Sequence, residues 1–145
     1  MGRIKTDREF RVSKSKLDSW NHSLNETEKR MKKEGMSQKH IKMVISSQRS
    51  FLDQVEYEVK EYQSLKKGKV PKQLLKSESS QALGDALIAL RVASGESQSS
   101  MARKLGVSST QVCRDERNEY NGISSNRLFQ ILDILGYQIE IKKKN

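Results

Sequence analysis

The 145-residue sequence predicts an all-α protein in two parts: an antiparallel helical hairpin at the N-terminus, then a compact domain of short helices ending in a short β-strand. Three observations carry this. Two long stretches repeat apolar residues at three- and four-residue steps on either side of Gly35. From residue 81 onward, Gly95, Gly106, Gly122 and Gly136 cut the chain into short apolar segments. The last residues alternate apolar and polar, as a half-buried strand does.

Taken in order, Arg8-Glu9-Phe10-Arg11-Val12 alternates and reads as a short strand or an extended lead-in, with Ser13 placed as the first helical N-cap. Leu17, Trp20, Leu24, Thr27 and Met31 then form one stripe, read as core. Gly35 is positioned as the stop after the helix. Ser37 is expected to cap a second helix whose stripe runs Ile41, Val44/Ile45, Gln48, Leu52, Val55, Val59 and Tyr62. Residues 1–67 form this hairpin, which buries little alone and is expected to pack on a second copy, on the rest of the chain or on a partner. Residues 68–80 hold the sole proline and a serine cluster, and read as a linker in which Leu74 and Leu75 can dock.

Residues 81–145 form the second domain. Ala82, Leu83, Ala86, Leu87, Leu90 and Val92 make a compact apolar helix ended by Gly95. A short helix spans about Ser97 to Leu105, and Gly106 breaks it. Ser108 caps another that reaches about Asn118, and Ser124 or Ser125 caps a last helix carrying Leu128, Phe129, Ile131, Leu132 and Leu135. Tyr137 to Lys142 is the terminal strand, and a lone strand must pair with something, most economically a symmetry mate.

Hydrophobic residues are 34% of the chain and charged residues 32%, which favours long exposed helices. No run approaches a membrane span, and one cysteine forms no internal disulfide, so the expected compartment is the reducing cytoplasm. Two histidines and one cysteine argue against a zinc site. Walker-type, GxSxG and HExxH motifs are absent, and no enzyme chemistry, metal or cofactor is expected. The net charge is +10, which points to a polyanion or an acidic partner protein. That charge is uneven: residues 1–80 hold 19 basic and 11 acidic side chains, residues 81–145 only 9 and 7.

The segment Gln98 to Arg117 carries the functional signal. Met101, Ala102, Leu105, Val107 and Val112 are apolar where two crossed helices touch, and Gly106 supplies the turn between them. In such a unit one helix braces on the DNA backbone while the second enters the major groove, which is wide enough for one helix. With its flanking helices this stretch resembles the Xre-type, lambdoid-repressor-like helix-turn-helix family over roughly residues 81–136. The resemblance implies a five-helix-type domain. It implies that Gln98 bonds a phosphate, that Ser108, Ser109, Thr110 and Arg114 face bases, and that Gln111 makes a phosphate or base-flanking contact. Arg117, Asn118 and Tyr120 fall in the loop that follows the backbone. Arg91 and Glu116 match a structural ion pair. Asp115 departs from the pattern, standing where an apolar residue is usual; it is expected to bond an arginine or a helix-end amide, or to loosen the packing.

Arg114-Asp-Glu-Arg-Asn-Glu-Tyr120, together with Glu61 to Val70, resembles a branch of that family with an N-terminal helical extension and antitoxin-like relatives. Leu135 to Ile141 is similar to the dimerising strand of several antitoxin repressors. The resemblance implies a cytoplasmic homodimer that binds double-stranded DNA as a transcriptional regulator, in the default case a repressor. The alternative is an antitoxin-like protein whose hairpin neutralises a toxin or other partner protein, with autoregulatory DNA binding.

Overall fold

A computed structural model describes residues 3–143. Among them the chain is all-helical, with six α-helices, one 3-10 turn and no strand. The helices are α1 (Asp7–Lys33), α2 (Gln38–Lys66), α3 (Ser80–Ala93), α4 (Gln98–Leu105), α5 (Ser109–Arg117) and α6 (Ser125–Leu135); the 3-10 turn is Lys72–Leu75. The chain divides into two units, residues 1–63 and 64–145.

In the first unit, α1 starts earlier than expected. Its N-cap is Thr6, whose Oγ1 accepts from the Glu9 N–H at 3.2 Å, while the Glu9 carboxylate accepts from the Lys5 N–H at 2.7 Å. This reciprocal cap pulls residues 8–12 into the helix, so they are neither strand nor lead-in, and Ser13 is internal. Leu17, Leu24 and Met31 are buried at seven-residue steps, a narrow seam like that of a coiled coil. On α2 the buried set is Ile41, Ile45, Leu52, Val55, Glu58, Val59 and Tyr62, with Leu65 buried in the last turn, which belongs to the second unit. Arg3, ahead of α1, pairs with Glu61 at 3.1 Å, and contacts between the helices join Asp7 to the Tyr62 hydroxyl (3.0 Å), Phe10 to Tyr62 (ring centroids 5.3 Å) and Trp20 to Phe51 (5.3 Å). The first turns of α1 thus meet Tyr62 near the end of α2, and Trp20, further along α1, meets Phe51, which lies earlier on α2. Trp20 differs from its core assignment. It lies at the edge of the seam, 39% exposed, against Phe51 at 47%. The two rings flank an open groove of ≈ 370 Å³, also lined by Ser23, Leu24, Ser47, Gln48 and Leu52.

The second unit holds four α-helices and the 3-10 turn, rather than five α-helices. Its core joins Leu87, Ile88 and Leu90 of α3, Met101 and Ala102 of α4, Val112 of α5, Tyr120, and Ile131, Leu132 and Leu135 of α6. Each large aliphatic side chain so buried contributes about 1.5–3 kcal/mol relative to exposure. Residues 68–80 are not a free tether here: the 3-10 turn lies on α3, and Val70 packs on the core. Ser108 caps α5 as expected and Ser124, rather than Ser125, caps α6, while Ser97, expected as the first residue of its helix, caps α4; each accepts from the N–H three residues on.

The expected strand does not form. Tyr137 to Lys142 is without regular structure and exposed. A strand needs a partner for its N–H and C=O groups, and the described chain offers no other strand to pair with.

Candidate functional site

α4 and α5 form the most extensively packed helix pair in the second unit. Gly106 joins them at φ 69, in the left-handed region where glycine is at ease. Nine residues long, α5 buries only Val112 and Glu116. A helix turns about 100° per residue, so Arg114 lies opposite that buried pair, with Thr110 and Arg117 beside it. All three are exposed, as are Ser108, Ser109 and Asn118. Arg103 and Lys104 are the exposed cations of α4.

Most of the predicted site residues thus share the outward side of α5 or its ends, but they are not equally available. Thr110 and Arg114 extend from the exposed face. The Ser109 hydroxyl donates to Ser99 Oγ at 3.3 Å. Ser108 Oγ accepts the Gln111 N–H at 3.1 Å, which leaves its own hydroxyl proton to donate. Arg117 lies against the Cys113 sulfur (3.9 Å), and Asn118 Nδ2 donates to the Asn121 carbonyl at 3.2 Å, tying the loop together. Gln111 is half-buried and donates to Asp115 Oδ1 at 2.6 Å. That bond accounts for Asp115, which accepts from a glutamine on its own helix rather than from an arginine or a helix-end amide.

Behind this face lies a buried polar cluster around one carboxylate. Arg91 Nη2 donates to Glu116 Oε2 at 2.9 Å and its Nε donates to Oε1, a two-pronged pair with side chains 4% and 0% exposed. Arg91 Nη1 also donates to the Glu96 carbonyl at 2.8 Å. Gln98 Nε2 donates to Glu116 Oε2 at 2.7 Å, and the Tyr120 hydroxyl donates to Oε1 at 3.5 Å. Gln98, expected on a phosphate, is therefore committed by one N–H to the ion pair. Burial, reinforced by the Glu116 charge, holds the Tyr120 phenol well above its ordinary value.

Two features escaped the sequence pattern. Glu119 and Tyr120 both take left-handed backbone, at φ 52 and 56, in the turn after α5. That turn leans on α3 at Gly84: a Cβ there would lie 2.0 Å from the Glu119 carbonyl oxygen. Gly84 is thus the residue that lets the loop approach α3. Its signal in the sequence was a lone glycine inside an apolar helical run, which usually has a packing reason.

No protein-family model, curated protein or solved structure matches the chain. Among the described residues no helix is long and apolar enough to cross a membrane, and no group of three or more His, Cys, Asp or Glu side chains could hold a metal ion.

Proposed function

We propose that the chain is a sequence-specific DNA-binding transcriptional regulator of Xre-like helix-turn-helix type, acting as a dimeric repressor on a pseudo-palindromic site. The observation that carries the reading is α5: a short helix locked from behind by a buried ion pair, presenting Thr110, Arg114 and Arg117 outward. In this reading α5 enters the major groove. Arg114 donates two bonds to guanine O6 and N7, and Ser108, Ser109 and Thr110 reach base edges. Gln98 keeps one amide N–H on Glu116 and gives the other to a phosphate, with Gln111, Arg117 and Asn118 along the backbone. The N-terminal pair of helices is a hairpin added to that domain. The dimer pairs residues 137–142 of two copies, where Tyr137, Ile139 and Ile141 alternate on an exposed segment.

The test is selection from a random duplex pool with the purified full chain. An enriched motif with two half-sites about one helical turn apart supports the reading; a pool that stays random after repeated rounds refutes it. Deleting residues 137–145 should lower the sedimentation weight from dimer to monomer, and an unchanged dimer would move the interface elsewhere.

A second reading is favoured by one feature of the first unit. The groove between Trp20 and Phe51 suits an apolar anchor of a partner protein, as an antitoxin-like role needs. A defined complex with the product of an adjacent small gene, lost on joint Trp20→Ala and Phe51→Ala substitution, would support it.

A further inference from the structure

We infer that the tip of the first unit, residues 29–42, is a second DNA contact that grips the phosphate backbone without reading sequence. The inference rests on the DNA-binding reading above and assigns a role to the basic half of the chain, which the α5 face leaves unexplained.

The tip holds six Lys or Arg residues and one acidic residue, so about a tenth of the chain carries half of its +10 charge. Every residue from 29 to 42 is exposed except Met31 and Ile41. Two of the six cations are already paired along α1, Lys29 with Glu26 at 2.9 Å and Lys32 with Glu28 at 2.7 Å. Among the described residues Arg30, Lys33, Lys39 and Lys42 have no acidic partner within ion-pair distance. Cations in the last turn of α1 are ordinary, because they complement the helix dipole. Those at the start of α2 are not. Lys39 lies in its first turn with His40 beside it and Lys42 close behind, where the dipole favours anions, and that turn holds no acidic residue. Placement against the dipole, next to the basic end of α1, builds a positive concentration that folding alone does not favour. An external anion resolves it.

The chemistry selects the kind of anion. Protein interfaces concentrate aromatic anchors, and the tip has none: Phe10, Trp20, Phe51, Tyr57 and Tyr62 all lie outside it. The exposed large apolar residues in or beside it, Met36 and Met43, are too few for a membrane face. Exposed cations with no acidic partner suit a repeating line of phosphates, which duplex DNA supplies at about one charge per 1.7 Å.

The experiment compares the full chain with Arg30→Gln/Lys33→Gln/Lys39→Gln/Lys42→Gln. Both are titrated by anisotropy on the selected duplex and on a scrambled one, from about 50 to 200 mM salt. A control, Arg8→Gln/Arg11→Gln/Lys14→Gln/Lys16→Gln, removes the same charge from exposed positions nearer the start of α1. Each lost phosphate contact makes the log–log salt slope shallower by about 0.9. Four contacts change it by about 3.6, so over this four-fold salt range the parent loses roughly 150-fold more affinity than the tip variant. The loss should be equal on both duplexes. A tip variant whose slope lies within about 0.9 of the parent, or of the control, overturns the inference. Absence of preference for the selected duplex in the parent would defeat the sequence-specific reading, while the slopes on scrambled DNA still decide the tip.

Discussion

Gly84→Ala sets two physical arguments against each other with opposite signs. In an unobstructed helix interior, replacing glycine with alanine stabilises by about 0.8–1 kcal/mol, because glycine surrenders the most backbone freedom on folding. In this fold the added methyl meets the turn after α5. Its Cβ would lie 2.0 Å from the Glu119 carbonyl oxygen and 2.7 Å from the carbonyl carbon. A relaxed carbon–oxygen contact is about 3.3 Å, so α3 and the turn must part by about 1.3 Å. Neither side yields easily. The obstacle is backbone, and the next residue, Tyr120, is buried with its N–H on the Asp115 carbonyl at 2.7 Å. A methyl forced into a packed site costs about 1–3 kcal/mol, and a backbone obstacle belongs at the upper end. Subtracting the propensity gain leaves a net loss of about 2 kcal/mol, which lowers the melting temperature of a domain this size by roughly 8–16 °C. Helical circular dichroism is the appropriate readout, since the sole tryptophan, Trp20, lies in the other unit. Gly106→Ala calibrates it. That glycine has φ 69, and a Cβ added there would meet nothing within 4 Å, so only the backbone term of about 1–2 kcal/mol applies. A Gly84→Ala melting temperature at or above that of the parent would refute the close approach.

The remaining predictions concern the cluster behind α5 and the face in front of it. Glu116→Ala strands Arg91 in the core and should cost about 3–5 kcal/mol in urea denaturation; a loss under about 1 kcal/mol would mean that the pair is not buried in solution. Tyr120→Phe should change the alkaline limb of stability. The folded phenol titrates above its ordinary value of 10.0, so its contribution is complete below pH 10 and is lost as pH rises beyond it. The parent should therefore lose stability more steeply than the variant above pH 10, by up to about 1.4 kcal/mol per pH unit, and parallel curves would contradict the assignment. Arg114→Ala should leave the melting temperature unchanged, weaken binding to a selected duplex by about 1–3 kcal/mol and relax one base position; unchanged specificity would place another residue against the bases.

What the sequence revealed of this fold follows from how local each signal is. Caps and stops are local, and Ser37, Ser108, Ser124 and the glycines at 35, 95, 106 and 136 were legible from single residues and their neighbours. The start of α1 was legible too, as Thr6-Asp7-Arg8-Glu9 is a capping box, but the alternation of Phe10 and Val12 imitated a strand and hid it. Contacts between distant segments were harder. An amide at Gln98 serves a carboxylate as well as a phosphate, and nothing in its neighbourhood separates the two until Glu116 comes within 2.7 Å. The left-handed pair Glu119 and Tyr120 carries no glycine to announce it. Trp20 matched the apolar stripe yet sits at its edge, because the stripe marks a face about 100° wide while the seam uses a narrower line through Leu17, Leu24 and Met31.

The polar cluster explains how so small a helix is held in place. α5 contributes a single buried apolar side chain, Val112, worth about 1.5–2 kcal/mol, which is too little to fix the direction of nine residues. Glu116 supplies what packing cannot. Its carboxylate receives Arg91 from α3, Gln98 from α4 and Tyr120 from the turn that Gly84 admits. Hydrogen bonds are directional where apolar contacts are not, so each donor constrains the carboxylate from a different element. With Glu116 and Val112 fixed, rotation of α5 about its own axis is removed, and Arg114, opposite both, is aimed by the same constraint. An apolar replacement of the Arg91–Glu116 pair could match its stability without matching that aim. On the DNA-binding reading, the placement of base-facing side chains therefore depends on charge buried on the far side of the helix, and on a glycine in α3 that touches neither.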